Sequence, residues 1–257
     1  VFPIGDENPT YRTPYITYLL IAINLVVFVY EVLLQNEVLG RALDPITQRL
    51  QTVTALDYFF NDWAVVPAQF TASLTGGVIR SPLPDVTSQP PEWITLVSSQ
   101  FLHGSWSHVL GNMLFLWIFG NNVEDKLGHA KFLLFYLGCG ILAGLAQWFF
   151  SMNSYIPSLG ASGAIAGVMG AYILRFPTAA INTIIPPFFV FQVPAFAYLG
   201  IWFIQQAFYS FASLAPRSYV GMEGGGIAYW AHAGGFVFGA ILGPLLGLFQ
   251  DDRPNYR

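Results

Sequence analysis

Five polar residues stand out in a chain that is otherwise apolar: Ser162, His232, His103, His108 and Asn112. A serine hydroxyl is a poor nucleophile until a base takes its proton. His232 is the sole histidine that follows Ser162 in the chain, so it is the candidate base. No acidic residue is expected beside it at the same depth, since Glu124, Asp125 and Glu223 read as loop or helix-end residues. The chemistry is therefore that of a Ser–His dyad rather than a triad. A Ser–Lys pair is excluded because Lys126 and Lys131, the only lysines, fall at the opposite end of the helices. The hydrolase elbow G-x-S-x-G is also excluded, because Ala164 occupies its last glycine position. Each residue alone has a plainer reading. Ser162 can serve close packing or bond back to its own helix, His232 can be a satisfied core histidine, and Asn112 can join two helices. His129 reads as a solvated loop residue.

These residues need a frame, and composition says which kind. The chain has 257 residues, 54% hydrophobic and 9% charged. Ordinary globular domains carry about 25% charged residues, so a charged skin is missing and an integral membrane protein is implied. The formal charge of -4 gives no reason to expect nucleic acid. The lone Cys139 excludes an intramolecular disulfide and reads as a small core residue. The chain begins at Val1, which reads as a trimmed end. Its first apolar run is too long, and lacks the small-residue site, for a cleaved signal peptide.

Residues 13–30, 132–174, 176–216 and 224–250 contain no Asp, Glu, Lys or Arg. A helix needs about 20 apolar residues to cross a bilayer. Six helices are predicted: 15–34, 103–121, 132–150, 160–174, 188–211 and 228–249. Breaks fall at Asn153, Ser154 and Pro157, and at Pro177, Pro186 and Pro187, while Pro194 is expected to bend the fifth helix. A long segment, 35–102, joins the first two helices. It holds Pro82, Pro84, Pro90 and Pro91, and Trp63 and Trp93 suit a membrane interface. Basic residues set the orientation. Arg12, Lys126, Lys131, Arg175, Arg253 and Arg257 fall in the inside segments. Only Arg217 falls in a short outside loop; Arg41, Arg49 and Arg80 lie in the long loop and count for little. Both termini are then inside, and the second, fourth and sixth helices start at the outer face. All five polar residues share that outer depth, and nothing equivalent is expected at the inner ends. Intramembrane ionisable groups are costly and usually functional.

A helix start supplies N–H groups without internal partners and the positive end of the dipole. Ser162 at such a start puts its own backbone N–H, with the side chains of Asn112 and His108, in reach of a developing oxyanion. Gly160 lets the chain turn into the helix. Gly163 and Gly167 stand one turn apart, as do Gly235, Gly239 and Gly243 in the last helix. Close packing along these small residues would carry His232 to Ser162.

At these residues the chain resembles the rhomboid intramembrane serine proteases. "GASG" at 160–163 is similar to the family's G-x-S-G, with Ser162 as nucleophile, and "AHAGG" at 231–235 is similar to its helix 6 motif, with His232 as base. "HGSWSHVLGN" at 103–112 resembles the helix 2 motif in which His108 and Asn112 flank the oxyanion site, with His103 nearby. "GNNVEDKLG" at 120–128 resembles the G-x-x-x-E segment, which implies a structural hydrogen-bonding role for Glu124. Two positions depart from the family. Trp93 is followed by Ile94 rather than Arg, and Ala166 stands where some members carry an aromatic that supports the histidine.

The resemblance implies an all-α polytopic membrane protein, a six-helix rhomboid-like bundle with a long membrane-associated first loop. It implies one domain over 1–257, with the catalytic core at 103–249. The six-span plan without an added domain resembles the basic bacterial form, in a bacterial inner membrane with cytoplasmic termini. The implied partners are transmembrane protein substrates and membrane lipid, with no cofactor and no metal. Two other readings remain at this point: an inactive relative that only binds transmembrane helices, and a small-solute transporter. A transporter's inverted repeat of spans is not visible in the sequence.

Overall fold

The computed structural model describes residues 2–43, 50–78, 81, 83, 90–185, 189–213 and 228–250. Pro82, Pro84, Pro186, Pro187, Arg49, Arg80, Arg217, Arg253, Arg257 and Glu223 lie outside the described residues. The fold is mostly helical. A strand β1 (Phe2–Asp6) precedes α1 (Tyr15–Gln35), and the long first loop follows. That loop holds β2 (Val38–Leu43), β3 (Leu50–Thr54), α2 (Ala55–Trp63), α3 (Pro67–Thr75) and α4 (Glu92–Ser98). Next come α5 (Trp106–Phe115), α6 (Asn121–Leu127), α7 (His129–Phe150) and α8 (Ser162–Arg175). The chain continues through β4 (Ala180–Ile185), β5 (Phe189–Pro194), α9 (Ala195–Ala212) and α10 (Tyr229–Leu246).

Among the described residues, α1, α7 and α10 are long and apolar enough to cross a bilayer, with mean hydropathy of 2.2, 1.7 and 1.2. The predicted second helix starts later than expected. Ser105 caps α5 by accepting the His108 N–H at 3.2 Å, and a π-helical turn, Leu116–Gly120, joins α5 to α6. His103 therefore precedes the helix rather than opening it. The predicted fifth helix loses its first turns to β5, and Pro194 stands just before α9 instead of bending it. Strands β1 and β5 flank β4 in an antiparallel sheet. The stretch "FVFQVP" is rich in aromatic and β-branched residues, which fit a pleated surface.

Helix α8 has 14 residues, and an unbroken run from Gly163 to Tyr172 is buried. A helix apolar on every side belongs in a core. Its closest neighbour is α10, and the two meet backbone to backbone. A β-carbon built at Gly239 would stand 1.9 Å from the Gly167 carbonyl oxygen, and one at Gly235 would stand 2.1 Å from that of Gly163. One at Gly170 would stand 2.0 Å from the Phe236 carbonyl oxygen. On the other flank, Cys139 of α7 is fully buried, and its side chain fills the space against Gly167.

The described parts of the first loop are folded rather than a plain linker. Thr54 and Asp57 form a capping box at the start of α2. Thr71 of α3 accepts from the Trp148 indole at 2.9 Å and donates to the Met152 carbonyl at 2.9 Å. Trp63 is half-exposed and Trp93 is exposed. Buried Glu92 begins α4, and burial followed by repulsion from Asp62 pushes its carboxyl up to about 7. Its ionised form is thus disfavoured in the fold, and the penalty grows as pH rises from the ordinary carboxylate range through 7.

Gly239→Ala is expected to cost about 1–3 kcal/mol by overpacking, seen as a lower thermal midpoint. Gly200→Ala, where a β-carbon meets nothing within 4 Å, is expected to leave it unchanged or slightly raised. Glu92→Gln is expected to raise the thermal midpoint at about pH 8, with a gain that shrinks toward about pH 5. An equal gain at both pH values would contradict the buried carboxylate.

Candidate active site

Ser162 is the first residue of α8, and the chain entering it is held from two sides. Val65 and Ser158 pair as an antiparallel bridge, with N–H to carbonyl distances of 3.1 and 2.8 Å. The Gly160 N–H donates to the Ser99 carbonyl at 2.8 Å. Gly160 itself has φ of 122°, a conformation L side chains rarely adopt. A β-carbon there would also stand 2.7 Å from His108 Nε2. Ser162 opens on a small cleft lined by Ser99, Gln100, Ser158, Gly160 and Ala231 among others.

His232 lies in the first turn of α10, three residues before Gly235. Its Nε2 is 2.7 Å from Ser162 Oγ. With the ring proton on Nδ1, the hydroxyl donates to Nε2, which is the geometry a general base requires. Nδ1 lies 2.8 Å from Gln206 Oε1 of α9. The Trp202 ring, one turn earlier on α9, packs 5.9 Å from the imidazole at 32°. The absent aromatic at Ala166 is thus replaced by contacts from another helix. Trp202 and Gln206 were missed in the sequence, although their i, i+4 spacing puts them on one face. A glutamine inside an apolar span was the available signal.

The remaining polar residues form one cluster beside the serine. Asn112 Nδ2 is 2.9 Å from His103 Nε2, and the His103 and His108 rings meet edge to face at 5.0 Å. A β-carbon at Gly160 would lie 3.7 Å from Asn112 Nδ2, so Asn112 and His108 both face the turn that precedes Ser162.

The Nδ1 partner of His232 is an amide and not a carboxylate, but an acid does support the His103 end of the cluster. Glu31, near the end of α1, is 1% exposed, and both its oxygens accept the His103 N–H at 3.1 Å. The last turns of α1 bring this acid to the backbone at His103.

The inner ends are not empty either. Glu124 is fully buried and caps α1: it accepts the Ile16 N–H at 2.9 Å, the Thr17 N–H at 2.8 Å and the Thr17 hydroxyl at 2.7 Å. A carboxylate satisfies the orphan donors of a helix start and matches its dipole. His129 opens α7 with Nδ1 2.6 Å from Glu124 Oε1, so it is bonded rather than merely solvated. Asp125 accepts the N–H groups of Tyr11 and Arg12 at 2.9 and 2.8 Å. Asp6 accepts from Tyr172 and Asn122, tying the N-terminal segment to α8. These inner contacts join helix ends and lie away from the Ser–His pair.

A mostly helical protein with long apolar helices and a buried, hydrogen-bonded Ser–His pair has the features of a membrane protein. A family model described as the Rhomboid domain matches residues 90–249. The chain belongs to the rhomboid family, and is a membrane protein. Yeast mitochondrial rhomboid protein 1 (Saccharomyces cerevisiae) is 33% identical over 154 residues, 58% of this chain and 41% of that protein. The chloroplastic rhomboid-like protein 11 of Arabidopsis thaliana is 30% identical over 159 residues, 62% of this chain and 54% of that protein. The rhomboid protease GluP of Bacillus subtilis is 43% identical over 82 residues, 32% of this chain and 16% of that protein. The match thus spans about half or less of these relatives' lengths.

Glu31→Leu is expected to strand the buried His103 N–H and lower stability by about 1–3 kcal/mol. Glu31→Gln keeps an acceptor oxygen and is expected to lose less. Thermal melts of the two variants in one detergent check the order.

Proposed function

We propose that this chain is an intramembrane serine endopeptidase that cleaves transmembrane proteins by a Ser162–His232 dyad. The observation that carries the reading is the 2.7 Å Ser162–His232 contact, formed between two helices of an apolar bundle beside Asn112 and His108. It is supported by family membership and by a relative named as a rhomboid protease. In this reading His232 Nε2 takes the proton as Ser162 Oγ attacks the scissile carbonyl. The tetrahedral oxyanion faces the Ser162 N–H, the Asn112 amide and His108. One such donor is typically worth about 3 kcal/mol of transition-state stabilisation. The imidazolium returns its proton to the leaving amine, and an acyl-enzyme remains on Ser162. Water, deprotonated by the same His232, then releases the new carboxyl end.

The same proposal takes α1, α5 with α6, α7, α8, α9 and α10 as the six spans of a single domain. Both termini lie on the basic, cytoplasmic side. The plain six-span plan is the ground for a bacterial inner membrane; the relatives include mitochondrial and chloroplastic as well as bacterial proteins. A substrate peptide bond inside a helix is shielded by its own hydrogen bonds. The substrate must therefore unwind locally, which favours small and helix-breaking residues near the cut. Lipid surrounds the spans.

Detergent-solubilised protein is expected to label with a fluorophosphonate probe and to cleave a transmembrane substrate. Ser162→Ala is expected to abolish both, and His232→Ala to lower both by about 10²-fold or more. Cleavage that persists in Ser162→Ala would end the proposal.

A further inference from the structure

A histidine that serves as base has one ring nitrogen for the nucleophile and another that must carry the proton. Nε2 of His232 faces Ser162, so productive geometry needs the proton on Nδ1. A ring held only by Ser162 could protonate either nitrogen, and could rotate about its side-chain bonds. In this structure Nδ1 meets an acceptor, Gln206 Oε1, at 2.8 Å. Gln206 is 8% exposed, and its position one turn after Trp202 directs both side chains of α9 at the imidazole. The Ser162–His232–Gln206 chain thus draws one residue from each of α8, α10 and α9.

We propose that Gln206 is a positioning residue. It holds His232 in the Nδ1-protonated tautomer and turns the Nε2 lone pair on Ser162. The inference rests on the protease reading. An amide suits this place better than a carboxylate does. Its oxygen accepts the Nδ1–H, yet it brings no charge into an apolar interior, where an unpaired ionised group is costly. The amide does not supply a counter-charge to the imidazolium. Its contribution is orientation and choice of tautomer, as seen when a neighbour's hydrogen bond fixes which imidazole nitrogen is protonated.

The arrangement also makes base geometry depend on α9. Helices α8 and α10 are locked by their glycine contacts, whereas α9 reaches α10 through aromatic side chains. Phe203 stacks on Phe236 at 4.6 Å and Tyr209 meets Tyr229 at 5.1 Å. An outward shift of α9 alone would leave Ser162 and His232 on their backbones and remove the acceptor from Nδ1.

The test compares the full chain with Gln206→Leu and Gln206→Glu in one detergent. It reads fluorophosphonate labelling rate, kcat and KM on a transmembrane substrate, and the His232 tautomer by nitrogen-15 NMR of histidine-labelled protein. Gln206→Leu is expected to lower kcat and labelling by about 10²-fold with KM within about twofold, and to mix the two tautomers. Gln206→Glu restores an acceptor oxygen and is expected to recover most of the labelling rate. If Gln206→Leu does not fold, Gln206→Met, similar in length but without an acceptor, replaces it in every assay. Wild-type kcat and an unchanged tautomer in the leucine or methionine variant would overturn the proposal. So would a glutamate variant as slow as leucine. If the wild-type chain neither labels nor cleaves, the protease reading fails, and the tautomer spectra still decide whether Gln206 holds the ring.

Discussion

Contact between the backbones of α8 and α10 is the interaction on which the rest of this structure depends. Gly235 and Gly239 of α10 and Gly170 of α8 meet the facing backbone so closely that no side chain fits there, while Gly163 and Gly167 make room chiefly for Ala143 and Cys139 of α7. Ser162 opens one helix and His232 lies in the first turn of the other. The seam therefore brings a nucleophile and a base to hydrogen-bond distance without either side chain having to hold the helices together. Without it, both would be polar groups stranded in an apolar bundle, where each unsatisfied group is costly.

Other elements steady what the seam brings together. The first loop pairs with the strand-like chain before Ser162 through Val65 and Ser158, so a segment distant in sequence fixes the approach to the nucleophile. Glu31 of α1 fastens the backbone at His103, and His103 in turn holds the Asn112 amide. At the opposite end Glu124 joins α1 to α6 and α7 through a carboxylate used as a helix cap. Ser162, beside the first cluster, opens on a cleft, while the second cluster spends its acceptors on the N–H groups and side chains of neighbouring helix starts. That difference separates a site from a fastening, though both contain buried carboxylates.

Much of this was legible in the sequence because the informative residues are rare. Four histidines and a glycine-flanked serine in a chain with little charge leave few pairings to consider, and small residues at every fourth position name the helix faces that meet. Positions that depend on rotation of a helix about its own axis were harder to read. Glu31 falls within the predicted first helix, and only the rotation of α1 turns it inward. Gln206 follows Gln205 in an otherwise apolar helix, and periodicity cannot tell which of the two faces inward when both faces are apolar. Strand β5 was hidden for the same reason, since a charge-free stretch leading into a helix reads as more helix. Local chemistry decided the break before α8, while tertiary contacts decided the one before α9.

The seam has a thermodynamic side as well. Glycine and alanine have no rotamers to freeze, so joining α8 to α10 loses almost no side-chain entropy, whereas seating long side chains in a groove would cost up to about 2 kcal/mol for each. Between the helices stand only the single methyls of Ala166, Ala171 and Ala231, which have no rotamers to loosen with temperature. The spacing between Ser162 and His232 is accordingly set by rigid peptide geometry. It should hold nearly constant on warming until the two helices part together.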